Sequence, residues 1–227
     1  MINVICVKWG TKYSAEYVNR LHQMLLNYLY CPFVFYCYTD DPTDVNARII
    51  PIETDLEIYW NKLAMFQKDF VPEGPCLFFD LDIVIQNPIN ELLDCLSDNL
   101  TMVNARWKGK IVTDGNYKKE KQRWDMYANS SVLLWKSNAC THIWDHFMSD
   151  PEYYMLQYKG IDRFIFHENM HQVYFPKGMI YSRLYGEYEN EITYCDSALF
   201  NKPEKLVCLF NGPTEEWMYE GFEHHWS

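Results

Sequence analysis

The chain predicts an α/β domain with a mostly parallel central sheet flanked by helices. Three observations lead there. Apolar runs rich in β-branched and aromatic residues recur along the sequence, and in the first third they alternate with stretches of helical spacing. Turn signals such as Asp40-Asp41-Pro42 and Asn87-Pro88 punctuate them. One run, Cys76-Leu-Phe-Phe-Asp80-Leu-Asp82-Ile-Val-Ile85, carries two carboxylates between two apolar halves.

Ile2-Asn-Val-Ile-Cys-Val7 reads as the first strand, followed by the polar and aromatic stretch Lys8 to Tyr13. Ser14 is placed to cap a helix in which Tyr17, Val18, Leu21, Met24, Leu25 and Tyr28 recur at helical spacing, and Pro32 ends it. Phe33 to Tyr38 is a second strand and Ala47 to Ile52 a third. Trp60 to Phe70 reads as a helix with Leu63, Phe66 and Phe70 inward. The D-x-D run reads as the next strand. This order predicts right-handed crossovers between parallel strands, with ligands bound beyond the strands' carboxyl ends. Trp9 to Tyr13, Thr39 to Asp41 and Asp80 to Asp82 all stand at such ends.

Further along, Pro88 to Leu96 reads as a short helix and Leu100 to Asn104 as a strand. Gly109 to Asp125 reads as a polar loop. Asn129-Ser130-Ser131 opens the strand Val132 to Trp135, and Asn138 caps a helix through Phe147. Gly160-Ile161-Asp162-Arg163 introduces a helix to about Met170. Gln172 to Phe175 and Leu206 to Phe210 are the last strands, while Ile180 to Ala198 carries no clear pattern.

With 227 residues, 48% of them hydrophobic and 17% aromatic, the chain supports one domain with a large core. No repeat or linker divides it. A net charge of −11 argues against a nucleic-acid partner. The start lacks a basic region and a long apolar stretch, so neither a signal peptide nor a transmembrane segment is expected. The eight cysteines form no C-x-x-C pair, and Cys6, Cys37, Cys76 and Cys208 lie in apolar runs. Buried, reduced thiols are expected, and with them a cytoplasmic location.

On a strand, alternate side chains share a face, so Asp80 and Asp82 are expected to point the same way. Two carboxylates crowded on a buried face repel, and leaving them unpaired is costly. Mn²⁺ or Mg²⁺ would answer that charge with a preference for oxygen ligands. The plainer alternative makes both residues part of an exposed loop just past the strand.

Taken in order, Thr11 and Tyr13, Tyr38-Thr39-Asp40-Asp41, Trp60-Asn61-Lys62-Leu63, Phe79-Asp80-Leu81-Asp82, Asn129-Ser130-Ser131-Val132, Gly160-Ile161-Asp162 and Leu209-Phe210-Asn211-Gly212 resemble GT-A type glycosyltransferases. The resemblance is to the glycogenin and bacterial or viral lipopolysaccharide-transferase kind, and it spans nearly the whole chain. It implies a single GT-A (Rossmann-like) domain over residues 1–227. Residues 1–105 would form the nucleotide-binding half, and 106–227 the donor-sugar and acceptor half. It implies a nucleoside-diphosphate sugar donor, a UDP-sugar by preference, and an acceptor hydroxyl on a glycan, lipid or protein. Lys8, Trp9, Thr11, Tyr13 and Asp40 would hold the nucleotide. Lys62 would hold donor phosphate or sugar, and Asp80 and Asp82 would hold the metal and, through it, the diphosphate. Asn129 and Asp162 would stand near the anomeric carbon.

The chain departs from that pattern where related sequences carry a metal-binding His. Asn211 occupies the position, with His224 or His225 as substitutes if the tail folds back. The D-x-D run also fits the nucleophile strand of haloacid-dehalogenase-type phosphatases, with Asp80 as nucleophile and Asp82 as acid/base. That fold begins with this strand, whereas here an α/β pattern precedes it. His167-Glu168-Asn-Met-His171 matches the H-E-x-x-H zinc motif, with Glu191 as a possible third ligand. A sugar-nucleotide binding module without turnover is a non-enzymatic alternative.

Overall fold

β1 (Ile2–Lys8) is apolar almost throughout because both its faces are covered, and nearly every residue of it is buried. It pairs in parallel with β2 (Phe33–Thr39) on one side and with β4 (Pro75–Phe79) on the other. β3 (Arg48–Pro51), β6 (Leu100–Asn104), β7 (Ala128–Lys136) and β8 (Gln172–Tyr174) complete a seven-stranded sheet of order β3-β2-β1-β4-β7-β6-β8. Only β7 runs against its neighbours. A second sheet has the order β5-β10-β9, from β5 (Ile83–Ile85), β9 (Ile180–Ser182) and β10 (Val207–Leu209). The computed structural model describes residues 1–56, 58–107, 127–168, 170–187, 199–211 and 216–227. The polar loop at 109–125, Glu191 and Gly212 lie outside the described residues.

α1 (Ala15–Tyr28) covers one face of the main sheet with Val18, Leu21, Met24 and Leu25. Ser14 stands at its N-cap, as its sequence position predicts, but its side chain makes no capping bond. α2 (Asn90–Leu93) is a single turn on the same side. The opposite face is covered by a 3₁₀ helix, Ile58–Phe66, with α3 (Thr141–Ser149), α4 (Pro151–Gln157) and α5 (Ile161–His167). Trp60 stacks on Phe147 with ring centroids 5.2 Å apart and meets Phe164 edge-on at 6.3 Å, which joins the 3₁₀ helix to α3 and α5.

Several expectations are corrected. The D-x-D run is not one strand. β4 ends at Phe79 in the main sheet, β5 begins at Ile83 in the second, and Asp80-Leu81-Asp82 is the step between them. The segment expected as a helix from Trp60 to Phe70 is the tighter 3₁₀ helix. Leu63 through Phe66 are all buried, so no polar stripe of 3.6-residue period exists there. Asn138 caps no helix. It has φ +64, and its side-chain oxygen accepts from the Asp69 amide at 2.8 Å. β7 starts at Ala128, so Asn129 to Ser131 lie inside the strand. α5 ends at His167, three residues before the expected Met170.

The tail runs back along α1 in two 3₁₀ turns, Glu216–Tyr219 and Glu223–His225. Glu216 accepts from Tyr17 Oη at 2.9 Å near the start of α1, and His225 Nδ1 lies 2.8 Å from Tyr28 Oη at its end. Every described cysteine is a free thiol, and Cys6, Cys37, Cys76, Cys140 and Cys208 are buried. No helix among the described residues is long and apolar enough to cross a membrane.

Leu77 is fully enclosed in β4, whereas Leu156 on α4 is 88% exposed. Leu77→Ala is expected to cost about 2–5 kcal/mol in urea unfolding, through lost burial and the cavity left behind. Leu156→Ala is expected to stay within about 0.5 kcal/mol of the parent. Similar costs for both would contradict the placement of the core.

Candidate active site

The β1–α1 loop starts where β1 leaves the sheet at Lys8. Gly10 takes φ +63, and its N–H donates to both Asp40 carboxylate oxygens, at 3.0 and 3.2 Å. Asp40 therefore fixes this loop against the end of β2. Next door, β4 delivers Asp80 and Asp82. The Asp80 amide donates to Ser131 O on β7 at 2.9 Å, and the Phe210 amide donates to Asp82 O at 3.1 Å. The two carboxylates are thus anchored one to each sheet.

A crevice of about 440 Å³ opens over them. Trp9, Thr11, Lys12 and Tyr13 form one wall, Tyr59 and Lys62 another, and Asp80 to Asp82 the floor. Lys62 is ion-paired with Asp80 and sits 5.2 Å from the centre of the Phe78 ring. Burial pushes Asp82 from the ordinary 3.8 up to about 6, and the Asp80 charge adds to this. Lys62 and Lys12 offset part of that rise. The site thus holds a carboxylate whose charge the protein compensates incompletely, which is an attractive place for a cation.

Asn211 follows Phe210 directly, so the Phe210–Asp82 hydrogen bond brings it beside the D-x-D step. Its backbone is left-handed at φ +52, and its buried side-chain oxygen has no hydrogen-bond partner among the described residues. Two carboxylates and an unpaired amide oxygen are a donor set suited to Mn²⁺ or Mg²⁺. Among the described residues, no three His, Cys, Asp or Glu side chains are grouped to hold a metal. His225 is held at the far end of α1, roughly 16 Å along the helix from Tyr17. The His224 ring lies against it there, with centroids 3.9 Å apart and planes 40° from parallel, so both stand at that end of α1.

The remaining expected residues divide. Trp9, Thr11, Tyr13, Lys62, Asp80 and Asp82 line the crevice. Lys8 is buried beside an adjoining hollow of about 610 Å³, where its amine donates to Asp41 O at 3.1 Å. Thr11 and Tyr13 belong to both spaces. Asn129 and Asp162 do not line the crevice. Asp162, in the first turn of α5, accepts from the Ser130 amide at 2.9 Å, and Asn129 accepts from the Ser131 amide at 3.1 Å. Asn129 thus bonds Ser131 itself, whose carbonyl anchors Asp80, and Asp162 bonds the neighbouring Ser130.

Lys12 and Tyr59 are crevice residues that the sequence reading did not single out. Lys12 lay within the loop already in view, but spacing does not say which way a loop lysine points. Tyr59 lies three residues before Lys62, and a 3₁₀ helix sets such residues on one face. Gly160 stands beneath the Tyr59 ring: a Cβ there would meet it at 3.9 Å.

The H-E-x-x-H zinc arrangement does not form. α5 ends at His167, and His171 lies beyond it with φ +51, so the two rings share no helix face. Glu168 instead accepts from Tyr158 Oη and lies 2.8 Å from His146 Nε2. Burial alone would raise Glu168, but these hydrogen bonds outweigh it and hold the carboxyl below its usual range.

A sheet of this order, with a carboxylate pair at the carboxyl end of β4, has the GT-A fold of nucleotide-sugar glycosyltransferases. The galactosyltransferase LgtC, solved with donor and acceptor sugar analogues, matches with a TM-score of 0.64 at 15% identity, over 98% of this chain and 93% of its own. The bifunctional glycosyltransferase WbbM matches at 0.65 and 12%, over 100% of this chain and 49% of its own. The glycosyltransferase GlyE of Streptococcus pneumoniae TIGR4 matches at 0.65 and 11%, over 100% of this chain and 61% of its own. At these identities the likeness is one of fold. No family profile and no curated protein matches the sequence. The phosphatase reading, which puts the D-x-D strand first, does not suit a sheet in which that strand is the fourth.

Two measurements test this description. Asp82 has a raised folded-state pKa, so the folded chain keeps a proton that the unfolded chain loses. Its ionisation therefore lowers stability as pH rises from about 4 through about 6. In EDTA, the melting-temperature gain of Asp82→Asn over the parent is expected to be small at the acid end and to grow across that range; a flat difference would show an ordinary carboxyl. Glu168 has the opposite sign: its stabilisation is present above the ordinary 4.5 and is lost as pH falls below it. Tyr158→Phe is expected to cost about 1–2 kcal/mol at neutral pH and less once Glu168 is protonated.

Proposed function

We propose that this chain is a metal-dependent glycosyltransferase that moves a hexose from a nucleoside-diphosphate sugar, a UDP-sugar by preference, to an acceptor hydroxyl. The observation that carries the reading is the crevice itself. It gathers the D-x-D carboxylates, Lys12 and Lys62 where β1 and β4 end, within a GT-A fold, with the unpaired Asn211 oxygen beside it.

Asp80, Asp82 and Asn211 would hold Mn²⁺ or Mg²⁺, which when bound supplies Lewis-acid stabilisation of the departing diphosphate. Lys62 and Lys12 add positive charge on the same side, where it counts most as the leaving group's charge grows. Trp9 and Tyr13 offer aromatic faces to a base. The adjoining hollow, with Lys8 and Asp41, has room for base and ribose. Asp40 acts at one remove by fixing Gly10 and hence the loop. The donor sugar would extend past Lys62 and Tyr59, and Asn129 and Asp162, which the resemblance sets near the anomeric carbon, would act through the Ser130–Ser131 backbone they hold. Retention of anomeric configuration is part of this reading, on the resemblance alone. The acceptor is a glycan, lipid or protein hydroxyl. The free thiols accord with a cytoplasmic setting.

Thermal unfolding with a panel of nucleoside diphosphates, each with and without Mn²⁺, tests the proposal. At about 100 times its dissociation constant, one nucleotide is expected to stabilise the chain by about 2.7 kcal/mol, and only with metal. Asp80→Asn and Asp82→Asn are expected to abolish that shift while remaining folded. A nucleotide shift of full size in either variant would remove the metal from the reading.

A further inference from the structure

Asp80 already has a cation. The Lys62 ammonium pairs with its Oδ1, and the two side chains are only 15% and 18% exposed. Neither backbone is free to separate the pair. The Asp80 amide is held by Ser131 O at 2.9 Å. Lys62 sits on the 3₁₀ helix among the buried residues Trp60, Asn61 and Leu63. Trp60 stacks on Phe147, while Asn61 donates to Leu56 O at 2.8 Å and accepts from Thr54 Oγ1 at 2.8 Å. What can move is the lysine's own four-carbon stem, and both residues line the crevice of about 440 Å³.

Lysine suits a partner that has to let go. Its ammonium is a point charge with three rotatable donors, whereas a guanidinium grips a carboxylate with two parallel bonds. A divalent cation at Asp80 and the Lys62 ammonium draw on one carboxylate and repel each other. Without nucleotide, Lys62 therefore opposes metal binding. A diphosphate in the crevice reverses this, because it gives the ammonium another anion within the same space. Lys12, the other crevice lysine, is placed differently: its ammonium lies 4.6 Å from the centre of the Tyr13 ring.

We infer that Lys62 is the resident counter-ion of Asp80, holding the carboxylate when no divalent cation is bound and passing to the diphosphate when nucleotide and metal arrive together. The inference rests on the metal-dependent reading above and adds a coupling to it. Mn²⁺ binds weakly alone and more tightly with nucleotide, and linkage makes the effect reciprocal.

The test reads Mn²⁺ affinity from the electron paramagnetic resonance of free Mn²⁺, with and without UDP, after subtracting the Mn²⁺ that UDP holds in solution. In the parent, saturating UDP is expected to tighten Mn²⁺ about tenfold or more. Lys62→Met is expected to bind Mn²⁺ about tenfold tighter than the parent without UDP, and to lose most of the gain from UDP. Lys62→Arg keeps the charge and is expected to bind Mn²⁺ no tighter than the parent. Lys12→Met is expected to show a clearly smaller gain than Lys62→Met. Equal Mn²⁺ affinity in the parent and Lys62→Met overturns the inference, as does a parent that gains nothing from UDP or a Lys62→Met chain that keeps the full gain. Equal gains in Lys62→Met and Lys12→Met also overturn it, since the charge of the crevice as a whole would then be acting and not the ion pair. Should Lys62→Met fail to fold, tighter Mn²⁺ binding by Lys62→Arg than by the parent overturns it. A parent chain that binds Mn²⁺ neither alone nor with UDP overturns the proposed function and this inference with it.

Discussion

The site depends on the chain changing sheets at Asp80-Leu81-Asp82. Both flanks of this step are dry: Phe79 is fully enclosed, and Ile83 is 2% exposed. A continuous strand would have carried two carboxylates through such surroundings at a high desolvation cost. Leaving the main sheet at Phe79 and joining the second at Ile83 brings both, half-buried, to the floor of the crevice. Each end of the step is then fixed by a backbone bond to a different sheet, through Ser131 and Phe210. That anchoring keeps two like charges close together.

What surrounds the step is a set of partial compensations. Lys62 pairs with Asp80, and Lys12 acts on Asp82, yet burial still holds Asp82 above its ordinary range. Evenly matched ion pairs would make a stable floor with little affinity for a further cation. The imbalance, with the unpaired Asn211 oxygen close by, marks the place where the fold has given up polar satisfaction. The loops nearby are tied more tightly. Asp40 to Gly10 and Lys8 to Asp41 bind the ends of β1 and β2 together, so the crevice walls are placed by hydrogen bonds and not by packing alone.

The end of α5 shows how a motif can be present in sequence and absent in space. His167, Glu168 and His171 have the spacing of a helical zinc site, but the helix stops at His167, and Glu168 turns to Tyr158 and His146. The group ties α3, α4 and α5 together. Asn138 is a similar case: a good capping residue used instead to hold the turn at Asp69.

The sequence by itself determined the sheet's early strands, the helix α1 and the D-x-D location, because apolar runs and turn residues report burial and chain reversal locally. It also placed Trp9, Thr11 and Tyr13 near that pair, since parallel strands deliver their carboxyl ends to one edge, whereas Lys62 is assigned there by the resemblance alone. Only the tertiary structure decided the rest. The split of the D-x-D run between two sheets, the antiparallel β7 and the return of the tail along α1 are set by pairings between residues far apart in the chain, which leave no local periodicity. The same holds for side-chain direction. Whether Lys12 turns into the crevice, whether Lys8 turns to Asp41, and which end of α1 receives His225 depend on partners that only packing brings within hydrogen-bond distance.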